Sequence, residues 1–336
     1  MTTVRTAQLD PTLRAVVTSR RPLHYTDGHD LTADRPPHVR AASSIAWIDD
    51  RIAVVQDDAN FVALVDVTGG AARAIALPRG EGGWRQFDDA RGNKHHKLDL
   101  ESCVSITTGD GTILLAFGSG SNARRRVIVT IDRWQDSEPR VIVDDATALY
   151  ERLQSETAFA GSEMNIEGAL VETETLRLFG RGNGKAARNL TARNATCDLS
   201  LDALLSYLHR RTRVDPPTPT NVVQYHLGDI GGVALGFTDA TPFGNGVLYS
   251  ATAESSSDAT TDGPVRGSAL GTISANGRVR YAQLTDETGR LFADKVEGVL
   301  VSRTSTQRAY VVLDADDATR ASELCEVALL GEWHSQ

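Results

Sequence analysis

The chain has 336 residues, 40 % of them hydrophobic and 24 % charged, an ordinary globular composition with length enough for one large all-β domain. A net charge of −9 argues against a general nucleic-acid binder, because phosphate affinity rests on clustered Lys and Arg; the run Arg124-Arg125-Arg126 suits one small anion at most. No stretch approaches about 18 apolar residues and no apolar segment follows Met1-Thr2-Thr3-Val4-Arg5, so neither a membrane span nor a secretory signal is expected.

Read in chain order, one pattern recurs five times. A small polar or acidic residue opens a short apolar strand, a turn follows, and a second apolar strand ends in a polar cluster. The copies begin at Ser43 (SSIAWIDDRIAVVQDD), Glu101 (ESCVSITTGDGTILLAFGSGS), Glu167 (EGALVETETLRLFGRGNG), Thr238 (TDATPFGNGVLYSATAE) and Glu297 (EGVLVSRTSTQRAYVVLDADD). Hairpin turns are expected at Asp49-Asp50, Gly109-Asp110-Gly111 and Gly244-Asn245-Gly246. Further strands are expected at Phe61–Val67, Ala72–Leu77, Val127–Asp132, Arg140–Val143, Gly267–Ser274, Val279–Ala282 and Leu324–Leu330. Two amphipathic stretches, Asp145–Gln154 and Ser200–Arg210, read as helical insertions, with Ser200 as a cap for the second.

A fivefold repeat of this kind predicts a single all-β domain over residues 1–336: a five-bladed β-propeller of four-stranded antiparallel blades. The fifth copy lacks an outer strand, and the N-terminal run Leu13–Thr18 is expected to supply it and close the ring. A six-bladed lactonase-like architecture would need a sixth inner strand, which the sequence does not offer. Cys103, Cys197 and Cys325 form no CxxC pair, so neither zinc nor a disulfide framework is expected, and a reducing cytoplasm suits the chain.

In a propeller the innermost strands line a central channel. The five equivalent residues Ser43, Glu101, Glu167, Thr238 and Glu297 all carry oxygen, and three are carboxylates that would raise one another's pKa if left uncompensated. A hard cation resolves the conflict, Ca²⁺ first and Mg²⁺ second; the alternative is a water-filled channel with no fixed ion. The polar clusters that end the second strands fall at one mouth. There Asp57, Ser119, Arg181 and Asn183, with Lys97 and Lys295 from just before the inner strands, are candidate ligand-binding residues, and Asp58, Glu254 and Asp314 are candidate general bases. Asn165 approaches the same region.

The order Ser, Glu, Glu, Thr, Glu, carried by SSIAWIDDRIAVVQDD, LESCVSI, IEGALV, GFTDATPF and KVEGVLV, resembles the calcium-activated nucleotidases, or soluble apyrases. That resemblance implies a five-bladed propeller with a central calcium held by one residue per blade. The apyrase-like Arg after the paired aspartates is replaced here by Asp57-Asp58-Ala59-Asn60, and the segments that would hold a nucleotide are not recognisable. The strand openings also look like those of the phytase-like esterase propellers. The expected function is a metal-dependent hydrolase of a phosphorylated or other anionic small molecule, acting on a phosphoanhydride or phosphoester; the alternative is a non-catalytic ligand-binding or interaction propeller with a structural calcium and a protein partner. His95-His96 lacks a third ligand and reads as a loop pair, and no G-x-S-x-G elbow supports a serine hydrolase.

Overall fold

The computed structural model describes residues 2–69, 71–187, 189–210, 214–255 and 263–334. An N-terminal arm carries β1 (Thr3–Thr6), β2 (Gln8–Leu9), β3 (Arg14–Pro22) and β4 (His24–Tyr25). A first antiparallel unit follows as β5 (Ala42–Ile48), β6 (Arg51–Gln56), β7 (Phe61–Val65) and β8 (Ala71–Ala76), then a second as β9 (Leu100–Thr108), β10 (Gly111–Gly118), β11 (Val127–Asp132) and β12 (Arg140–Asp145). Helices α1 (Thr147–Ser155) and α2 (Thr157–Ala160) lead to β13 (Ile166–Glu172), β14 (Thr175–Gly180) and β15 (Asn194–Ser200); α3 (Leu201–Arg210) precedes β16 (Thr220–His226). The short β17 (Asp229–Ile230) introduces β18 (Val233–Phe243), β19 (Gly246–Glu254), β20 (Val265–Ile273) and β21 (Val279–Asp286). The last strands are β22 (Lys295–Val301), β23 (Arg308–Asp314) and β24 (Glu323–Leu330).

The chain is mostly β, arranged as curled sheets in a propeller-like manner. β24 pairs antiparallel with β3, so the outer strand beside the last unit comes from the N-terminal arm. The rest of the arm lies against other outer strands: β1 runs parallel to β16, β2 to β21 and β4 to β8. Apolar side chains leave both faces of the middle strands, and β7 (FVALV) is buried at every residue. Sheets that bury both faces must pack on a neighbour at each side. The core accordingly divides into layers lying between successive units, such as Leu114 and Val129 against Val55 and Leu64, with one layer joining the last unit to the first through Tyr310 and Ile45.

Sequence expectations and structure differ most in the third unit, where β15 and β16 were not anticipated. Their sequences, NATCDLS and TNVVQYH, carry too few apolar residues to read as strands. They form because β14 supplies a ready ladder and α3 covers one side. Ser200 Oγ accepts the Ala203 backbone N–H at 3.3 Å, an N-cap for α3. The helix expected at 145–154 begins at Thr147 and is followed by α2. All three cysteines are buried and free.

Candidate functional site

Each inner hairpin carries a β-bulge, and the bulge falls on the residue that opens the sequence repeat. In β5–β6 the register passes from Ala42 to Ser44, leaving Ser43 unpaired. In the same way Glu101 is skipped between Leu100 and Ser102, Glu167 between Ile166 and Gly168, Thr238 between Phe237 and Asp239, and Glu297 between Val296 and Gly298. A bulge re-aims the extra side chain away from the regular pleat. The inner strands β5, β9, β13, β18 and β22 contact one another in that order, and β22 contacts β5.

Four of these residues, Ser43, Glu101, Glu167 and Glu297, line one polar chamber of about 50 Å³. Thr238 does not line it. It is fully buried, and its hydroxyl donates to Ser250 Oγ at 2.9 Å across its own hairpin. Ser43 is also engaged, donating to the Leu100 carbonyl at 2.5 Å. The chamber is walled by seven carboxylates and five cationic side chains. A void of this size holds a few waters or one ion, since a single water occupies roughly 10–15 Å³ by this measure.

Much of the compensation that the sequence reading assigned to a metal comes from the protein itself. Lys97 Nζ lies 2.5 Å from Asp57, 3.0 Å from Asp99 and 3.1 Å from Asp58. Burial alone would lower its pKa, but the three aspartates outweigh that and push it well up. Arg125 reaches Asp99 at 2.8 Å, and Ser119 donates to the same carboxylate. Burial would raise Asp99, yet Lys97 and Arg125 together hold it below the usual carboxylate range. On the far wall Arg181 bonds Glu254 at 2.6 Å and Glu167 at 3.4 Å, and Lys295 meets Glu297 and Asp316, each at 3.2 Å. Asn165 donates to Glu167 at 2.6 Å and lies 3.5 Å from Asn183.

The balance still leaves negative charge in excess. Burial pushes the Glu101 carboxyl well up, with Asp57, Asp99 and Glu167 adding to it, and Glu101 accepts no hydrogen bond among those the described residues show. Burial also pushes Asp57 well up, and carries Glu167 and Asp314 to about 8. Asp57 Oδ1 and Glu297 Oε2 are buried without a hydrogen-bond partner, as is Arg181 Nε. Among the described residues, the carboxylates whose oxygens approach one another within 4.8 Å are Asp57, Asp99 and Glu101, rather than the three axial glutamates. The donors are all oxygen, hard and without His or Cys, and so fit Ca²⁺ or Mg²⁺ by type.

Above the chamber a bowl of about 430 Å³ shares Asp57, Lys94 and Asp314 with it. Its other walls are strongly acidic: Asp58, Asp88, Asp89, Asp316 and Asp317, against Arg40. Arg40 is itself tied to Gln86, the Phe87 carbonyl and Asp88.

The three candidate general bases are not equivalent. Glu254 is saturated by Arg181 and by the Gly263 N–H at 2.8 Å, and Asp58 is paired with Lys97. Asp314 lines chamber and bowl together, held by the Asp316 N–H at 3.0 Å. The sequence reading missed Asp99 and Arg125; Asp99 precedes β9 in a left-handed conformation, so strand alternation gave no signal for its convergence with Lys97 and Glu101. The rings of His95 and His96 lie 3.9 Å apart, tilted by 42°, with His96 Nδ1 2.9 Å from Glu81.

A family model described as "Family of unknown function (DUF6929)" matches residues 38–329. No curated protein is significantly similar in sequence. Among solved structures the chain is similar to glutaminyl cyclase from Myxococcus xanthus at 9 % identity, covering 98 % of this chain and 99 % of that one, with a TM-score of 0.47. It is similar to the α-L-arabinofuranosidase PaAbf62A from Podospora anserina at 12 % identity, covering 96 % and 98 %, with a TM-score of 0.43. An exo-1,5-α-L-arabinanase from a bovine ruminal metagenomic library is 10 % identical over 89 % and 98 %, with a TM-score of 0.46. Scores and identities at this level transfer no chemistry.

Proposed function

The chain belongs to the family of unknown function DUF6929, and from that premise we propose that it is a five-bladed propeller that binds a hard divalent cation in its axial chamber, Ca²⁺ before Mg²⁺. The fivefold count is supported by the five bulged hairpins and by the apolar layer joining the last unit to the first; closure by the N-terminal strand is supported by the β3–β24 ladder. The observation that carries the cation is the carboxylate excess in a polar chamber, where Asp57 Oδ1 and Glu297 Oε2 are buried without a hydrogen-bond partner among the described residues. Buried ionised oxygens without partners cost several kcal/mol each unless a counter-charge meets them.

On this cation rests a hydrolytic reading: the bowl would act on a small phosphorylated or otherwise anionic molecule. A bound divalent ion neutralises anionic oxygens and polarises the bond under attack. The bowl's aspartates repel a free anion, so anion binding here depends on the cation. Asp314, at the rim shared by both spaces, is the carboxylate placed to take a proton from an attacking water; Asp58 and Glu254 are occupied in ion pairs. That occupation equally favours the second reading, a non-catalytic binding protein with a structural cation.

A thermal-shift series in calcium, magnesium and EGTA tests the cation. Because Glu101 accepts no hydrogen bond among those the described residues show, Glu101→Gln removes charge with little disturbance of the surrounding network. Calcium should raise the midpoint of the natural protein by several degrees, with magnesium weaker and Glu101→Gln nearly unresponsive. Identical midpoints in calcium and EGTA would overturn the reading. Asp314→Asn then separates the two roles in a screen of phosphorylated small molecules: activity lost with calcium response kept supports the hydrolase.

A further inference from the structure

We infer that Asp239, which lies outside the chamber, is the positioning residue that holds the inner strands in the phase by which their bulges aim carboxylates at the cation; this rests on the cation reading above. Asp239 follows Thr238 on β18 and is 1 % exposed. Its Oδ2 accepts from Ser44 Oγ on β5 at 3.0 Å and from the Val299 N–H on β22 at 3.1 Å, and its Oδ1 accepts from the Ala240 N–H at 2.8 Å. The Ile45 N–H is a further donor. Ser44 Oγ in turn accepts the Cys103 N–H on β9 at 3.0 Å. On β13, a Cβ added to Gly168 would stand 3.2 Å from Asp239 Cα and from Ala240 N, so this strand abuts the same backbone. The carboxylate thus ties β5 and β22 to its own strand β18, its backbone abuts β13, and Ser44 relays the network to β9.

The position is also in phase. Ser44, Ser102, Gly168, Asp239 and Gly298 each stand one residue after the bulged residue of their strand. Four of the five are small, and they leave room for a single large polar side chain. Among the described residues no basic side chain pairs with Asp239. Its partners Ser44 Oγ and the N–H groups of Ala240, Val299 and Ile45 are all donors, so the carboxylate is satisfied by direction-specific bonds. Apolar packing would hold the strands together equally well but would not fix their axial stagger. A slip of one residue on any strand moves its bulged residue off the axis.

The test compares calcium affinity, measured by calorimetry well below every variant's unfolding midpoint, in the natural protein, Asp239→Ala, Ser44→Ala and Leu204→Ala. Leu204 is fully buried in α3, far in the chain from the inner hairpins, and controls for destabilisation alone. Asp239→Ala should weaken apparent calcium affinity by about tenfold or more, the scale seen when outer-shell partners are removed. Ser44→Ala, which removes the Ser44 bond to Asp239 and the relay to Cys103 but leaves the backbone donors to Asp239 in place, should weaken it by a smaller factor and keeps the test open if Asp239→Ala does not fold. Leu204→Ala should lower the midpoint with the affinity unchanged. If the natural protein binds calcium and both hub variants bind it equally well, Asp239 has no positioning role. If the natural protein binds none, the cation reading fails first and this inference goes with it.

Discussion

Lys97 shows how a single residue decides the character of the site. Its ammonium is 6 % exposed and sits among three aspartates, a position where a metal would otherwise be expected. Removing one partner of a buried charge cluster leaves the others uncompensated, which costs about 3–5 kcal/mol. Lys97→Met, which keeps the stem length, should therefore lower unfolding free energy by about that amount in urea titration under EGTA. A loss below about 1 kcal/mol would mean that solvent or an ion already serves these aspartates. Such a role was only half legible beforehand. Lys97 is an evident mouth residue from its place before a strand, but Asp57 lies forty positions earlier, and nothing local tells a ligand-binding lysine from one spent on its neighbours.

At the scale of the element, the inner hairpins were legible because each bulged residue is polar and directly follows a buried apolar one (Ala42, Leu100, Ile166, Phe237 or Val296), giving a break in pattern at a fixed phase. Thr238 fits that pattern and still does not line the chamber; its hydroxyl is taken up by Ser250 across the hairpin. The outer strands were read less well; β15 interleaves the polar Thr196 and Asp198 with the buried Ala195, Cys197 and Leu199, and β16 is held at its edge by β1 of the arm. Facing pairs carry their own constraints. Tyr249 on β19 lies opposite Gly271 on β20 and covers it, so that a Cβ at 271 would stand 2.2 Å from the Tyr249 ring. Tyr249 is fully buried and joins Phe237 edge to face at 5.2 Å, which leaves its ring nowhere to move. Gly271→Ala should cost about 1–3 kcal/mol by overpacking. The paired variant Gly271→Ala with Tyr249→Leu should recover part of that loss, as a double-mutant cycle on urea midpoints would show.

For the whole molecule the chamber's charge sets a dependence on pH. Asp314 and Glu167 ionise near their ordinary values, 3.8 and 4.5, when unfolded, but burial carries both to about 8 in the folded chain. Between those limits the folded state holds protons that the unfolded state has released. Stability from these groups is therefore complete below about pH 4 and is lost as pH rises through about 8. Asp99, held below its ordinary value, works in the opposite direction, but its window lies under pH 4. In EGTA the unfolding midpoint should fall from pH 6 to about pH 8 and level off above it. Calcium favours the ionised carboxylates, so saturating calcium should flatten or reverse that slope, while sodium at equal ionic strength should not. A midpoint in EGTA that rises over the same range would mean the chamber's carboxylates are already ionised and matched by Lys97, Lys295, Arg125 and Arg181. The excess charge on which the cation rests would then not exist.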